Sequence, residues 1–198
     1  MDFCSEFKNK ILTVEGLDFV ENYIKTLFDN EYKPVLVINI IGVVFKYGEE
    51  KTLLYNNLRK IVNMMIEHIG ANSVIFICDR EMEDYSLTNT QLMNLKLSDK
   101  IFYYRIIISK SEYYSTKIVS FFKSNYHLLS NPKTRIIYLD NDITRINEIN
   151  FKIKELLANY TLINIKPYTS GLLPLFRYLF YNPTYKIEEN NIVEENEV

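Results

Sequence analysis

Residues 35–41 read Val35-Leu36-Val37-Ile38-Asn39-Ile40-Ile41, and Pro34 stands directly in front of them. Proline ends any helix arriving from the amino-terminal side. The run behind it is aliphatic at every position but Asn39. An unbroken apolar run of this length suits a strand covered on both faces of a parallel sheet, not a half-exposed strand, which would alternate. Helical spacing appears on either side. Leu17, Val20, Ile24, Leu27 and Phe28 mark one helix over residues 17–28. Leu54, Leu58, Ile61, Val62, Met65, Ile66 and Ile69 mark a longer stripe, with Gly70 where a helix C-cap belongs.

The alternation continues. Strands are expected over residues 73–78, 100–109, 135–140 and 161–165, with helices over 84–97, 116–126 and 143–157. Strands alternating with helices imply right-handed βαβ units. The fold class is therefore α/β, a Rossmann-like parallel sheet of about five strands with helices on both faces and no large cap domain. Residues 1–183 form one domain in this reading, with residues 1–33 a helical extension. Residues 184–198 form a flexible acidic tail with one Lys and five Glu. That segment carries −4 against −2 for the whole chain, which leaves +2 on the remainder.

Composition narrows the function classes. No apolar run approaches the roughly 20 residues that cross a bilayer, and Met1-Asp2-Phe3-Cys4-Ser5 lacks the basic and apolar regions of a signal peptide. A cytoplasmic location is expected. Cys4 and Cys78 are the only cysteines, too few for a disulfide framework or a zinc site. A net charge of −2 gives no global basic field for nucleic acid. Abundant Asn, Ile, Lys and Tyr, with alanine only at Ala71 and Ala158, are the bias of an AT-rich genome such as that of a large DNA virus, a parasite or a bacterium.

Ligands in such sheets bind at the carboxyl ends of the strands. The first strand ends in Asn39-Ile40-Ile41-Gly42-Val43-Val44-Phe45, the second in Cys78-Asp79-Arg80, and the fourth in Asp140-Asn141-Asp142. In this order of elements and motifs the chain resembles the haloacid dehalogenase (HAD)-like superfamily over residues 35–165. The resemblance places Asn39 at the family's nucleophile and Ile41 at its acid–base position. It places Cys78 where phosphate is held by Ser or Thr, and Asp140 and Asp142 among the magnesium-binding carboxylates. Lys117, or else Lys110, takes the place of the phosphate-binding lysine.

The departures bear on chemistry. A phosphoryl-aspartate mechanism needs an ionised carboxylate as nucleophile, and Asn39 is a neutral amide. It needs a group to protonate the leaving oxygen, and Ile41 cannot. The expectation is an inactive HAD-like domain, a pseudophosphatase with no cofactor, acting by protein–protein contact. Under the alternative, an unusual phosphohydrolase uses Asp140 and Asp142 with magnesium and Lys117. Asp140-Asn141-Asp142-Ile143-Thr144 also matches the family's first-strand signature literally, but only 58 residues remain after Asp140 and no further strand there ends in a carboxylate.

Each candidate has a plain structural reading beside the functional one. Asn39 bonds loop backbone, Ile41 fills space, and Cys78 is a small buried apolar residue. Asp142 or Thr144 caps the helix that follows, and Lys117 neutralises Asp140 as an ion pair without metal. His68 and His127 lie far apart and form no constellation. Tyr103, Tyr104, Tyr113 and Tyr114 near Arg105, Lys110 and Lys117 offer a weaker third reading, a surface for single-stranded nucleic acid. Residues 171–181 are nearly all apolar. Leu172, Leu175, Phe176, Leu179 and Phe180 there are the expected interface with a protein partner or a second copy.

Overall fold

The computed structural model describes residues 3–46, 48–98, 105–110, 113–125, 129, 131–167 and 185–187. In chain order the elements are α1 (Phe3–Glu6), β1 (Lys10–Glu15), α2 (Asp18–Asp29), β2 (Lys33–Asn39), α3 (Leu58–His68), β3 (Val74–Asp79), α4 (Tyr85–Asn94), β4 (Arg105–Ser109), α5 (Tyr114–Ser124), β5 (Thr134–Asp140), α6 (Ile143–Ile153), β6 (Tyr160–Lys166) and β7 (Tyr185–Ile187). The strands form one sheet in the order β4-β3-β2-β5-β6-β1-β7. Every pairing is parallel except β1 with β7.

The aliphatic run forms the inner strand β2, as its composition requires. Alternate residues feed two cores, because successive side chains point to opposite faces. Leu36 and Ile38 pack with α2, α3 and Leu92 of α4. Val37 packs on the other face with Tyr138 and with Ile118 and Phe122 of α5 and Ile146 and Ile149 of α6. Helices thus cover both faces of a Rossmann-like sheet. Among its described residues the connection at residues 40–57, between β2 and α3, holds turns and a bridge between Ile41 and Phe45, and no large cap is evident there. Gly70, at φ +113°, follows the last turn of α3 in a conformation that favours glycine.

Two expectations about the termini need correction. Residues 1–33 are more than a helical extension: residues 10–15 are a sheet strand, paired with β6 from Lys10↔Thr161 to Glu15↔Lys166. Residues 185–187, assigned to a flexible tail, form β7 and pair with β1, Leu12 opposite Ile187. The parallel strands therefore number six. The remaining tail positions, and residues 100–104 of the expected third strand, lie outside the described residues.

No helix among the described residues is long and apolar enough to cross a membrane.

Candidate functional site at the strand tips

The chain order sets the site. From β2 the connections run outward through β3 to β4; the chain then returns to β5, on the other side of β2, and continues to β6. The order of connections reverses between the parallel strands β2 and β5, and the carboxyl ends at such a reversal are where ligands of open α/β sheets sit. Asn39 ends β2 and Asp140 ends β5. Ile38 pairs with Leu139, so the two tips lie side by side.

Asn39 is 1% exposed and Asp140 is fully buried. Asn39 Nδ2 donates to Asp140 Oδ1 at 2.9 Å and to Ile41 O at 2.7 Å. The Asp140 Oδ1 atom also accepts from the backbone N–H groups of Asn141 at 2.7 Å and Asp142 at 3.2 Å. Tyr138 shares Asp140's face two residues back on β5, and its hydroxyl donates to Oδ2 at 2.5 Å. Arg145 Nη1 stands 3.7 Å from the same oxygen. The Tyr114 hydroxyl donates to Asn39 Oδ1 at 3.0 Å, and the Arg145 guanidinium lies 4.4 Å from the Tyr114 ring centre. The Asn141 side-chain amide faces two acceptors, Ile41 O at 3.3 Å and Asp140 Oδ1 at 3.2 Å, so its nitrogen is the atom that points there.

Burial pushes the Asp140 carboxyl above the usual carboxylate range, against the pull of Arg145, Tyr138 and the two backbone N–H groups. Burial works against the charge of Arg145 too, but Asp140, Tyr114 and Tyr138 together outweigh it and raise that guanidinium further. Desolvation raises both Tyr114 and Tyr138 well above the ordinary phenol, so they remain neutral donors.

Gly42 closes the corner. Its φ is +95°, and an added Cβ would stand 2.2–2.4 Å from the Asn141 amide group. The turn can approach Asp140's neighbour only because this residue has no side chain. The polar row continues along the tips: Asn164 of β6 pairs with Asp140 and donates to Thr13 Oγ1 at 3.4 Å, while its buried Oδ1 has no hydrogen-bond partner.

Magnesium, which the family resemblance implies, wants several hard oxygen ligands with free lone pairs. Here both oxygens of Asp140 are engaged by donors, a guanidinium stands beside them, and Asn39 turns its nitrogen inward. Asp142 is committed as the α6 N-cap, accepting from Thr144 N at 2.9 Å and Arg145 N at 3.3 Å. These residues do not fit the metal. No group of three or more potential ligands occurs among the described residues.

The other candidates resolve as follows. Asn39 bonds loop backbone and Ile41 packs against the core, as their structural readings expected. Cys78 is buried, but it points into the opposite core from Asn39 and Asp140, so it does not belong to the site. Burial pushes its thiol up to about 12. The expected Asp140–Lys117 pair is also corrected. The buried positions of α5 are Tyr114, Ser115, Ile118, Val119 and Phe122; Lys117 falls between them and is exposed, and Arg145 is the cation at Asp140. Lys110 instead meets Glu81 at 3.0 Å. Arg80 reaches Thr88, Gln91 and Glu50. The His68 ring stacks on Phe28, and His127 lies outside the described residues. Leu172, Leu175, Phe176, Leu179 and Phe180 lie outside them as well.

Sequence reasoning missed Tyr138 and Arg145, and it gave Tyr114 to a different surface. Tyr138 could have been found from strand periodicity, two residues before a buried carboxylate. Arg145 could have been found from its place three residues after an N-cap aspartate. No family model, curated protein or solved structure matches the chain.

Proposed function

We propose that this chain is a degenerate HAD-like domain, a pseudophosphatase that acts by binding a protein partner and not by hydrolysis. One observation carries the non-catalytic part: the Asp140 carboxylate is saturated by protein donors, with the Asn39 amide among them. A phosphatase tip needs an anionic oxygen free to attack and another free to bind metal. Here Asp140, the buried carboxylate at the adjoining tips of β2 and β5, serves as a hydrogen-bonded anchor. The arrangement supports a tip that has been converted from reaction to structure.

The partner-binding part draws on exposed apolar side chains. Met82 is 65% exposed and Leu87 54%, and Tyr85 and Met93 of α4 are also exposed. The apolar sequence of residues 171–181 adds to this. Apolar patches of soluble proteins mark contact surfaces when they are contiguous.

The test has two arms. A generic aryl phosphate with magnesium is expected to show no turnover above background; turnover abolished by Asp140→Asn would overturn the proposal in favour of a phosphohydrolase. Mass measured against concentration is expected to show association that falls on Leu175→Asp or Phe176→Asp. A monomeric chain that captures salt-sensitive single-stranded nucleic acid through Tyr113 would instead favour the nucleic-acid reading.

A further inference from the structure

The opposite rim of the sheet holds a charge that no carboxylate among the described residues neutralises. Arg135 is the second residue of β5, about 16 Å along the strand from Asp140. It is 1% exposed. Its one hydrogen bond runs from Nη1 to the Tyr23 hydroxyl at 3.2 Å, and its Nε has no acceptor at all. No carboxylate pairs with it among the described residues.

Its neutral neighbours are already committed. Thr161 donates its hydroxyl proton to Phe7 O at 2.8 Å. The Tyr23 hydroxyl, 2.9 Å from Thr161 Oγ1, therefore donates to Thr161 and offers Arg135 only a lone pair. A helix C-terminus offers partial negative charge, but the carbonyls ending α2 are also in use. Thr26 O accepts from Asn30, Leu27 O from Tyr32 N and Phe28 O from Glu31 N. Asn30 O accepts from Lys133 Nζ at 3.3 Å. What remains for the guanidinium is the face of Tyr32, 5.4 Å away. Lys133 lies against the same ring at 5.3 Å, and its own nearest carboxylate is Glu31 at 3.9 Å, whose side chain is 87% exposed.

A buried cation whose Nε–H meets no acceptor is unfavourable unless an anion meets it. The guanidinium fork matches a tetrahedral or planar oxyanion through paired N–H bonds. A second cation beside it favours a doubly charged oxyanion over a single carboxylate. We propose that Arg135, with Lys133 beside it, is a receptor for a phosphate group at the amino-terminal rim of the sheet, separate from the Asn39–Asp140 tips. Tyr32 and the half-exposed Lys133 are the side chains that move to admit it.

The probes are inorganic phosphate and phenyl phosphate, compared with chloride at equal ionic strength, on the full chain. Phosphate at ten times its Kd is expected to raise the melting temperature by about 3–6 °C. Arg135→Met is expected to lose that rise and, without phosphate, to melt no lower than the wild type. The stronger response of the two probes tells whether the group is taken free or esterified. No phosphate-dependent rise in the wild type, or an equal rise in R135M, overturns the proposal. Should R135M fail to fold, arginine Nε–H resonances of the wild type decide. One signal, absent from R135K, is expected to shift on titration with phosphate; no shift ends the idea.

Discussion

Replacing Asn39 with aspartate puts a carboxylate where the HAD resemblance would place a nucleophile, and the geometry makes the outcome calculable. The new carboxylate oxygen would stand 2.9 Å from Asp140 Oδ1 in a place where both residues are buried. At an effective dielectric of about 20, two unit charges at that distance repel by about 6 kcal/mol. A shared proton limits the penalty. Holding one carboxyl of ordinary pKa, about 3.9, neutral at pH 7 costs about 4 kcal/mol. The protonated side chain can donate to Asp140 or to Ile41 O but not to both, and the lost bond adds about 1 kcal/mol. Asn39→Asp is therefore expected to lower stability by about 4–5 kcal/mol at pH 7. The proton is bound in the folded state, so the shifted carboxyl has a raised pKa. The stability it contributes is present below about pH 3.9 and is lost as pH rises. At pH 5 the variant should recover about 2.7 kcal/mol of its deficit. Urea unfolding of variant and wild type at the two pH values measures this. A deficit under about 1 kcal/mol at pH 7, or one that does not change with pH, would refute the reasoning. Turnover of phosphate esters is not expected to appear, because Ile41 still cannot protonate a leaving group.

Other substitutions probe the same corner. Tyr138→Phe removes the donor to Asp140 Oδ2 and is expected to lower stability by about 1.5–3 kcal/mol in urea melts, the range for a bond to a charged group. Asp142→Ala should lose about 1 kcal/mol, nearly all of it the helix cap, because its 3.6 Å contact with Arg145 is partly exposed and contributes little; a loss above about 2 kcal/mol in urea melts would contradict this. Gly42→Ala combines a positive φ with a collision against Asn141 and should lower stability by more than about 1 kcal/mol, read from the urea midpoint. Cys78, with its thiol pushed up to about 12, should resist iodoacetamide at pH 8 in the folded protein and react once unfolded; peptide mass spectrometry distinguishes it from Cys4.

The inner strands were legible because burial on both faces leaves a continuous aliphatic signature, seen in Val35 to Ile38 and again in β3 and β5. Strand β1 was not. Lys10-Ile11-Leu12-Thr13-Val14-Glu15 is short and has polar residues at both ends and at Thr13, so its pattern is no stronger than that of a loop beside a helix. Strand β7 has three residues in an acidic, Asn-rich stretch, and only the long-range pairing with β1 makes it a strand. At the site, the resemblance brought Asn39 and Asp140 to one pocket, and the pairing of β2 with β5 puts them side by side. The cation between the tips was misassigned because the place of Lys117 in the sequence does not say which side of α5 faces inward. Arg145 reaches the carboxylate from the first turn of α6, whose entry the Asp142 cap fixes, so the cap spacing was the signal that pointed to it.

The place of β1 has a consequence for synthesis. Strand β1 must sit next to β6, whose residues are made about 150 positions later. At roughly 5–20 residues per second, that is an interval of about 8–30 s. Throughout it, Ile11, Leu12 and Val14 have no sheet to join and stay within reach of chaperones or of other nascent chains. The sheet can grow outward from β2 and β3 during translation, but its early-made segment must wait for the late one before β6 gains a neighbour on its far side.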